Sequence, residues 1–272
     1  MTASELFDLQ PHGPDTYVGQ GPHYPWGGLF GGQIVAQSLR AAAATVEPEL
    51  MVHSLRSYFI RRGDHTEPIR FEVDRIRNGR SFATRRVVAR QAVGAILNLE
   101  ASFHVAEQTE DIQTVHFDTT LPGPEHLVSD AWTTTFDRRT IDRSQLGGTL
   151  RDGAGRMAVW MKVTDALPAD ELLHRCWLAY MSDDVPIDSV RACHPTFSAA
   201  NGSELTMSAS LDHTIWFHRP FKADEWHLYD ISSHSYQGAR GLGIGHVFAQ
   251  DGTHVATVAQ EALVRHAREP QD

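Results

Sequence analysis

The chain is rich in side chains that could hold a metal or move a proton, but poor in the spacings that would make them do so. Sixteen His are scattered along 272 residues, with no HExxH and no paired-His motif, so no metal is expected. The two cysteines, Cys176 and Cys193, stand 17 apart with no CxxC, which supports neither a zinc ribbon nor a disulfide scaffold and fits a reducing compartment. Gly241-Leu-Gly243-Ile-Gly245 approaches a dinucleotide loop. It lacks the GxGxxG spacing and runs into strand-like residues rather than a helix. No GxSxG elbow is present, so that type of serine hydrolase is set aside. Arg supplies 22 of the 24 cations; codon bias explains that, although Arg forks also suit phosphate-bearing ligands.

Composition narrows the class. Apolar residues make up 41% and charged residues 21%, a globular balance. Asp plus Glu outnumber Lys plus Arg by 34 to 24, giving a net charge of −10, the opposite of a nucleic-acid binder. Apolar runs such as Gly94–Leu99 are far shorter than the roughly 20 residues of a membrane span. Met1-Thr-Ala-Ser-Glu5 carries no signal-peptide pattern, and Glu269-Pro-Gln-Asp272 no peroxisomal or ER signal. A soluble cytoplasmic protein is the expectation.

The elements that must position any site repeat themselves. Residues 105–131 hold six acids, Pro122, Gly123 and Pro124 but no Lys or Arg, and read as a connector. This gives an N-terminal domain at 1–108, an acidic linker at 109–130 and a C-terminal domain at 131–272. Ser38-Leu-Arg-Ala-Ala42 matches Ser189-Val-Arg-Ala-Cys193 at an offset of 151. Tyr58-Phe-Ile-Arg61 matches Trp216-Phe-His-Arg219 at 158, and Glu100-Ala-Ser-Phe103 lies on Gln260-Glu-Ala-Leu263 at 160. Three matches in order point to an internal duplication. In the first half the pattern predicts a helix over Gln33–Thr45, then strands at Val52–Ile60, Ile69–Arg77, Ser81–Arg90 and Ala95–Val105. Asn78-Gly79 supplies a hairpin turn. In the second half it predicts a strand at Met157–Val163, a helix over Pro168–Met181 and a further helical segment from Asp183. Strands follow at Met207–His218, Trp226–His234, Gly243–Ala249 and Val255–Val264, with Asp251-Gly252 as another turn. Each half is one long helix followed by an antiparallel meander, an α+β arrangement.

Several strings carry a family resemblance. In the first half they are Phe30-Gly-Gly-Gln-Ile-Val-Ala-Gln-Ser-Leu39, Val52-His-Ser-Leu-Arg-Ser-Tyr-Phe59 and Gly79-Arg-Ser-Phe82. In the second they are Leu211-Asp-His-Thr-Ile-Trp-Phe-His-Arg-Pro-Phe221, Ala239-Arg-Gly241, Gln250-Asp-Gly252 and Val258-Ala-Gln-Glu261. Together they resemble the acyl-CoA thioesterase II (TesB-like) family over about residues 20–265. The resemblance implies a double hotdog fold and hydrolysis of an acyl-CoA thioester to a carboxylic acid and coenzyme A, with no cofactor. It implies a water held by an Asp, a hydroxyl residue and a Gln. Carried over by position, these are Asp183 in Tyr180-Met-Ser-Asp183, Ser210, and Gln260 in Val258-Ala-Gln-Glu261. Two positions depart from the family pattern: Met181 replaces a small Ala, and Ala259 stands where Val is expected.

The chemistry is sensible in its own right. A carboxylate can take a proton from water, while a hydroxyl and an amide fix its lone pairs. An ordinary Asp is a weak base, so burial or the neighbouring Asp184 should raise its proton affinity. At the offsets above, Asp183, Ser210 and Gln260 pair with Gly32, Val52 and Glu100, which predicts one competent site and one degenerate copy. Gly31-Gly32 would then offer helix-start N–H groups to a carbonyl or pyrophosphate. Structural readings stand beside these. Asp183 could cap a following helix, Ser210 could face solvent, and Gln260 could satisfy a backbone group. Asp212-His213 reads as structural and Trp216-Phe217-His218 as core. Arg219 could meet a coenzyme A phosphate or a surface acid. A non-catalytic acyl-CoA or acyl-carrier binding module is one rival function. An enoyl-CoA hydratase is another, disfavoured because Asp188, not His, lies five residues after Asp183. The leftover sheet edges leave room for pairing into a homo-oligomer.

Overall fold

The structure, a computed structural model, describes residues 3–146, 155–197 and 206–266. In the first half, short strands β1 (Gln10–Pro11) and β2 (Thr16–Gly19) precede the helix α1 (Gly31–Ala43). The meander β3 (Leu50–Phe59), β4 (Ile69–Asn78), β5 (Phe82–Gln91) and β6 (Gly94–Val105) follows. Alternating buried and exposed residues in β5 show why the pattern reads as strand: one face packs on α1 and the other is turned outward. The Asn78-Gly79 turn closes the β4–β5 hairpin, with the Gly79 N–H donating to the Phe82 carbonyl at 2.9 Å. Buried Gln33 and Gln37 in α1 bond to each other, to the Tyr24 hydroxyl and to the Leu6 and Gln20 carbonyls, so they pin the N-terminal segment onto the helix.

The second half begins with β7 (Phe136–Thr140) and β8 (Arg156–Val163). Two helices follow, α2 (Glu171–Ser182) and α3 (Pro186–Cys193), then β9 (Thr206–Ser210), β10 (Asp212–Phe217), β11 (His227–Gln237), β12 (Arg240–Ala249) and β13 (His254–His266). The thirteen strands of the described residues join one antiparallel sheet in the order β1-β2-β4-β5-β6-β3-β10-β13-β12-β11-β8-β7, with β9 also on β13. The halves meet where β3 pairs with β10, Tyr58 opposite Asp212 and Leu55 opposite Ile215. Outward from this seam the order is mirrored, β3-β6-β5-β4-β2 against β10-β13-β12-β11-β8. Helix α1 lies across the first set, and α3 across β8, β9 and β11–β13. The α+β reading and the duplicated helix-plus-meander therefore hold. Helix α2 is an addition that packs on α1.

Three expectations need correction. The helical segment expected from Asp183 starts at Pro186, because proline has no N–H to continue the ladder to Ser182. Asp183 therefore ends α2 instead of capping the next helix. The equivalence of Gln260 with Glu100 also fails. Gln260 is buried on the inner face of β13, whereas Glu100 is exposed on β6, and one residue of slip reverses every side chain in a strand. Val52 lies opposite Phe103 and Leu55 opposite Ala101 in β3–β6. Ser210 lies opposite Ala262, and Thr214 opposite Ala259, so His213 falls against Gln260. The first-half counterpart of Gln260 is accordingly Ala101.

The acidic connector is strapped down. Phe117, Leu121 and Leu127 pack with Ile141, Trp160 and Leu228, and Arg156 pairs with Asp118. The sheet edge at β1 is two residues long and carries Pro11, which blunts further pairing there. No helix among the described residues is long and apolar enough to cross a membrane. The readings of Met1 and of Glu269–Asp272 lie outside the described residues. Gly241 and Gly243, set aside above as a nucleotide loop, let α3 approach β12: a Cβ on Gly241 would fall 2.2 Å from Val190 Cγ1. Gly241→Ala is expected to cost about 1–3 kcal/mol through this overpacking, read by urea denaturation. Unchanged stability would contradict the close seat of α3.

Candidate active site

Two helix ends and two strands converge on one buried carboxylate. Helix α2 starts at Asp170, whose side chain accepts the Leu172 and Leu173 N–H groups, and ends at Asp183. Helix α1 runs antiparallel beside it. Arg40 in its last turn lies 3.7 Å from Asp170, and its first turn abuts Asp183. The contact depends on glycine. A Cβ on Gly31 would come 2.5 Å from Asp183 Oδ2, and one on Gly32 2.1 Å from the Tyr180 carbonyl oxygen. With no side chain there, the Gly32 N–H donates to Asp183, at the helix end that favours negative charge.

The other partners come from the sheet. The Ser210 hydroxyl donates to Asp183 Oδ1 at 3.0 Å, and Gln260 Nε2 donates to Ser210 Oγ at 2.9 Å. Behind Gln260, His213 Nδ1 meets Gln260 Oε1 while His213 Nε2 lies 2.8 Å from Ser182 Oγ. Ser210 and His213 are three apart, yet both turn inward. The break between β9 and β10 at Leu211 shifts the register on β13 by one residue, as a bulge does beside many active sites. The first half has the same break at His53, between Val52 and Ser54.

Electrostatics separate two adjacent carboxylates. Asp184 is held by Trp132 Nε1 and Arg138 Nε, each at 2.7 Å. Arg138 also pairs with Asp130 and Asp188. Among the described residues no cation pairs with Asp183. Burial pushes it up to about 7, and the nearby Asp184 charge adds to the rise. Hydrogen bonds from Ser210, Gly32 and Gln260 oppose it. Burial likewise pushes Asp188 up to about 6 and His213 down to about 4, so His213 is neutral. Asp183 is thus a base poised near neutrality, with a hydroxyl and an amide beside it.

The structure brings Asp183, Ser210, Gln260, Gly31 and Gly32 together. It leaves Arg219 elsewhere, at the far end of β10, with its guanidinium on Asp111 and on the His254 carbonyl. Of the two partners expected for Arg219, the protein supplies the acid. Asp212 accepts from Arg56 and from the Glu261 N–H and does not reach Asp183's cluster. His213, read as structural, and Ser182 join the network. The bulge that aims His213 inward has no signature in a local alternation pattern. Among the described residues no group of three or more His, Cys, Asp or Glu is placed to hold a metal. Three histidines, His218, His246 and His254, gather around Thr257.

Known proteins share this geometry's scaffold. A family model described as acyl-CoA thioesterase matches residues 128–263, and one described as acyl-CoA thioesterase N-terminal domain matches residues 20–106. The chain is 33% identical to acyl-CoA thioesterase 2 of Haemophilus influenzae, over 87% of each. The chain belongs to the acyl-CoA thioesterase family. A crystal structure of acyl-CoA thioesterase II TesB2 from Mycobacterium marinum superposes with a TM-score of 0.87 at 39% identity, covering 98% of this chain and 99% of that one. A hot dog fold protein from Alicyclobacillus acidocaldarius matches with a TM-score of 0.77 over 98% of each chain. At 19% identity it shows the fold alone. The double hotdog expected of the acyl-CoA thioesterase family is the fold observed.

A buried carboxyl whose affinity rises on folding makes stability depend on pH. Between its unfolded value of 3.8 and its folded value of about 7, the native state holds a proton that the unfolded state has released. Stability therefore falls as pH rises through that window. Asp183→Asn removes this dependence. It is expected to match the parent in thermal unfolding near pH 4 and to exceed it increasingly up to pH 8, by an amount on the order of 4 kcal/mol. A constant difference across that range would contradict the buried, proton-hungry carboxyl.

Proposed function

We propose that this acyl-CoA thioesterase hydrolyses its substrate by direct attack of a water held between Asp183, Ser210 and Gln260. The observation that carries the reading is their convergence: one carboxylate, one hydroxyl and one amide in consecutive hydrogen bonds of 3.0 and 2.9 Å. The Asp183 carboxylate takes a proton from the water as its oxygen attacks the thioester carbonyl carbon. Ser210 and Gln260 orient the water. Negative charge developing on the carbonyl oxygen is met at the first turn of α1 by the Gly31 N–H, because the Gly32 N–H is already given to Asp183; one well-placed donor contributes on the order of 3 kcal/mol. The tetrahedral intermediate collapses with cleavage of the C–S bond. The proton on Asp183 passes to the departing thiolate, so the products are a carboxylic acid, fatty where the acyl chain is long, and coenzyme A. No cofactor enters this balance, because coenzyme A is part of the substrate. The family resemblance, the neutral-range affinity of Asp183 and the lack of a competing cation at it among the described residues all support this assignment.

The test is thiol release from acyl-CoA esters of graded chain length by the wild type and Asp183→Ala. Release by the wild type, reduced about a hundredfold or more in the variant, is expected for loss of a base. Because Asp183 must be ionised to act, kcat/KM should rise with pH to a plateau, with an acid limb near pH 7. Equal release by both proteins would discard Asp183 as the base. Binding without release on any ester would replace hydrolysis by the binding-module reading.

A further inference from the structure

We propose that His213 is a positioning residue whose ring fixes the direction of the side-chain hydrogen bonds that run through Gln260 and Ser210 to Asp183. The proposal rests on the reading of Asp183, Ser210 and Gln260 as the set that holds the water. The geometry leaves few choices. Gln260 Oε1 can only accept, so the ring nitrogen that meets it, His213 Nδ1, carries the hydrogen. A neutral ring with Nδ1–H has an accepting Nε2, and the Ser182 hydroxyl 2.8 Å away donates to it. The alternative acceptor for that hydroxyl, the Ala179 carbonyl, is farther, at 3.3 Å. With its oxygen held by His213, the Gln260 amide must present NH2 to Ser210 Oγ. The Ser210 hydrogen is then free only for Asp183 Oδ1. One directed chain runs Ser182, His213, Gln260, Ser210, Asp183.

Reversal shows what the ring prevents. If Nδ1 lacked its hydrogen, the amide would turn its NH2 toward the ring and its oxygen toward Ser210. The Ser210 hydrogen would follow that oxygen, and the Asp183 carboxylate would lose its hydroxyl donor. The base would then hold a proton more tightly, and the water would lose a fixed hydroxyl. His213 is fully buried, so no solvent can replace the missing donor.

A second, independent observation comes from the duplication. The first-half counterparts of Ser210, His213 and Gln260 are Val52, Leu55 and Ala101, all apolar and all buried. A histidine needed only to fill the sheet would have no reason to be polar in the one half where the serine and glutamine are. The three polar residues form one unit, present in one copy of the repeat.

The charged groups that act on Asp183 from its surroundings do not include His213. They are Asp184 on its own turn and, paired with Asp184, Arg138 of β7, which also binds Asp188 of α3. From α1 it faces only the Gly31-Gly32 backbone, and from β3 the Phe59 ring lies beside it. A pH shift in a His213 variant therefore reports the hydrogen-bond chain and not a lost charge.

The experiment has two arms. Nitrogen-15 NMR of the wild type should show His213 as the Nδ1–H tautomer at pH 7; the Nε2–H tautomer would overturn the proposal outright, whatever the enzyme's reaction. In the kinetic arm, His213→Leu loses the donor, while His213→Asn keeps an N–H near the Nδ1 position. His213→Leu is expected to lower kcat about tenfold or more with KM within about twofold, and to move the acid limb of kcat/KM up by about half a pH unit or more. His213→Asn should recover most of kcat and return the limb. A folded His213→Leu with wild-type kcat and pH profile, or His213→Asn no better than His213→Leu, would overturn it. Should His213→Leu fail to fold, Ser182→Ala takes its place: the limb should move up in the same direction, and an unmoved limb would overturn the proposal. Asp183→Asn separates the two readings. If it retains turnover, the assignment of the site fails. If it loses turnover while the His213 variants keep their profile, only the role of His213 fails.

Discussion

The meeting of two helix ends around Asp183 is the contact on which the rest of the site depends. The C-terminus of α2 places a carboxylate where its own helix disfavours negative charge. The N-terminus of α1, stripped of side chains at Gly31 and Gly32, supplies the compensating N–H. Neither helix alone would keep an ionisable Asp buried. Antiparallel packing fixes both ends at once, with Arg40 near Asp170 at the far end of the pair. The affinity of Asp183 is therefore a property of tertiary packing, set by how closely two backbones approach.

Around that contact the protein assigns opposite fates to neighbouring carboxylates. Asp184 receives an arginine and an indole N–H, whereas Asp183 receives a serine, an amide network and one backbone N–H. The Arg138 cluster also ties β7 and the end of the connector to the α2–α3 turn. The acidic segment before β7 thus does more than link two domains. Its last residues brace the turn that carries Asp183, and its earlier ones occupy Arg219 and Arg156.

Much of this is legible in the order of the amino acids. Asn78-Gly79 and the period-two strands announce the meanders, since turn chemistry and alternation are local signals. The duplication is legible in Tyr58-Phe59 against Trp216-Phe217, which end β3 and β10 in equivalent places. What escapes a reading of the chain has one cause: it depends on register or on long-range contact. Strands β1, β2 and β7 are two to five residues long and carry too little pattern to stand out. Gln260 falls on Glu100 by offset because offsets do not reveal which face a strand turns inward. Asp183 resembles a helix cap for the right reason, a preferred residue beside a helix, but at the wrong end. His213 gives no local sign of its place because only the break at Leu211 brings it round to Ser210's side.

The same bulge explains why a symmetric scaffold carries an asymmetric site. Both halves break register at the corresponding point, at His53 and at Leu211, so both could turn three side chains toward one spot. In the first half that spot is filled by Val52, Leu55 and Ala101 and serves as core. In the second it is filled by Ser210, His213 and Gln260, which would each be costly to bury alone. They are tolerable only together, because each satisfies the next and the chain ends on a carboxylate. The carboxylate in turn sits at the end of α2, the helix added to the second half, where Pro186 starts α3 afresh. Function here required two local departures from the repeat, an added helix that ends at the right residue and a polar set facing it, while the sheet that positions both was left symmetric.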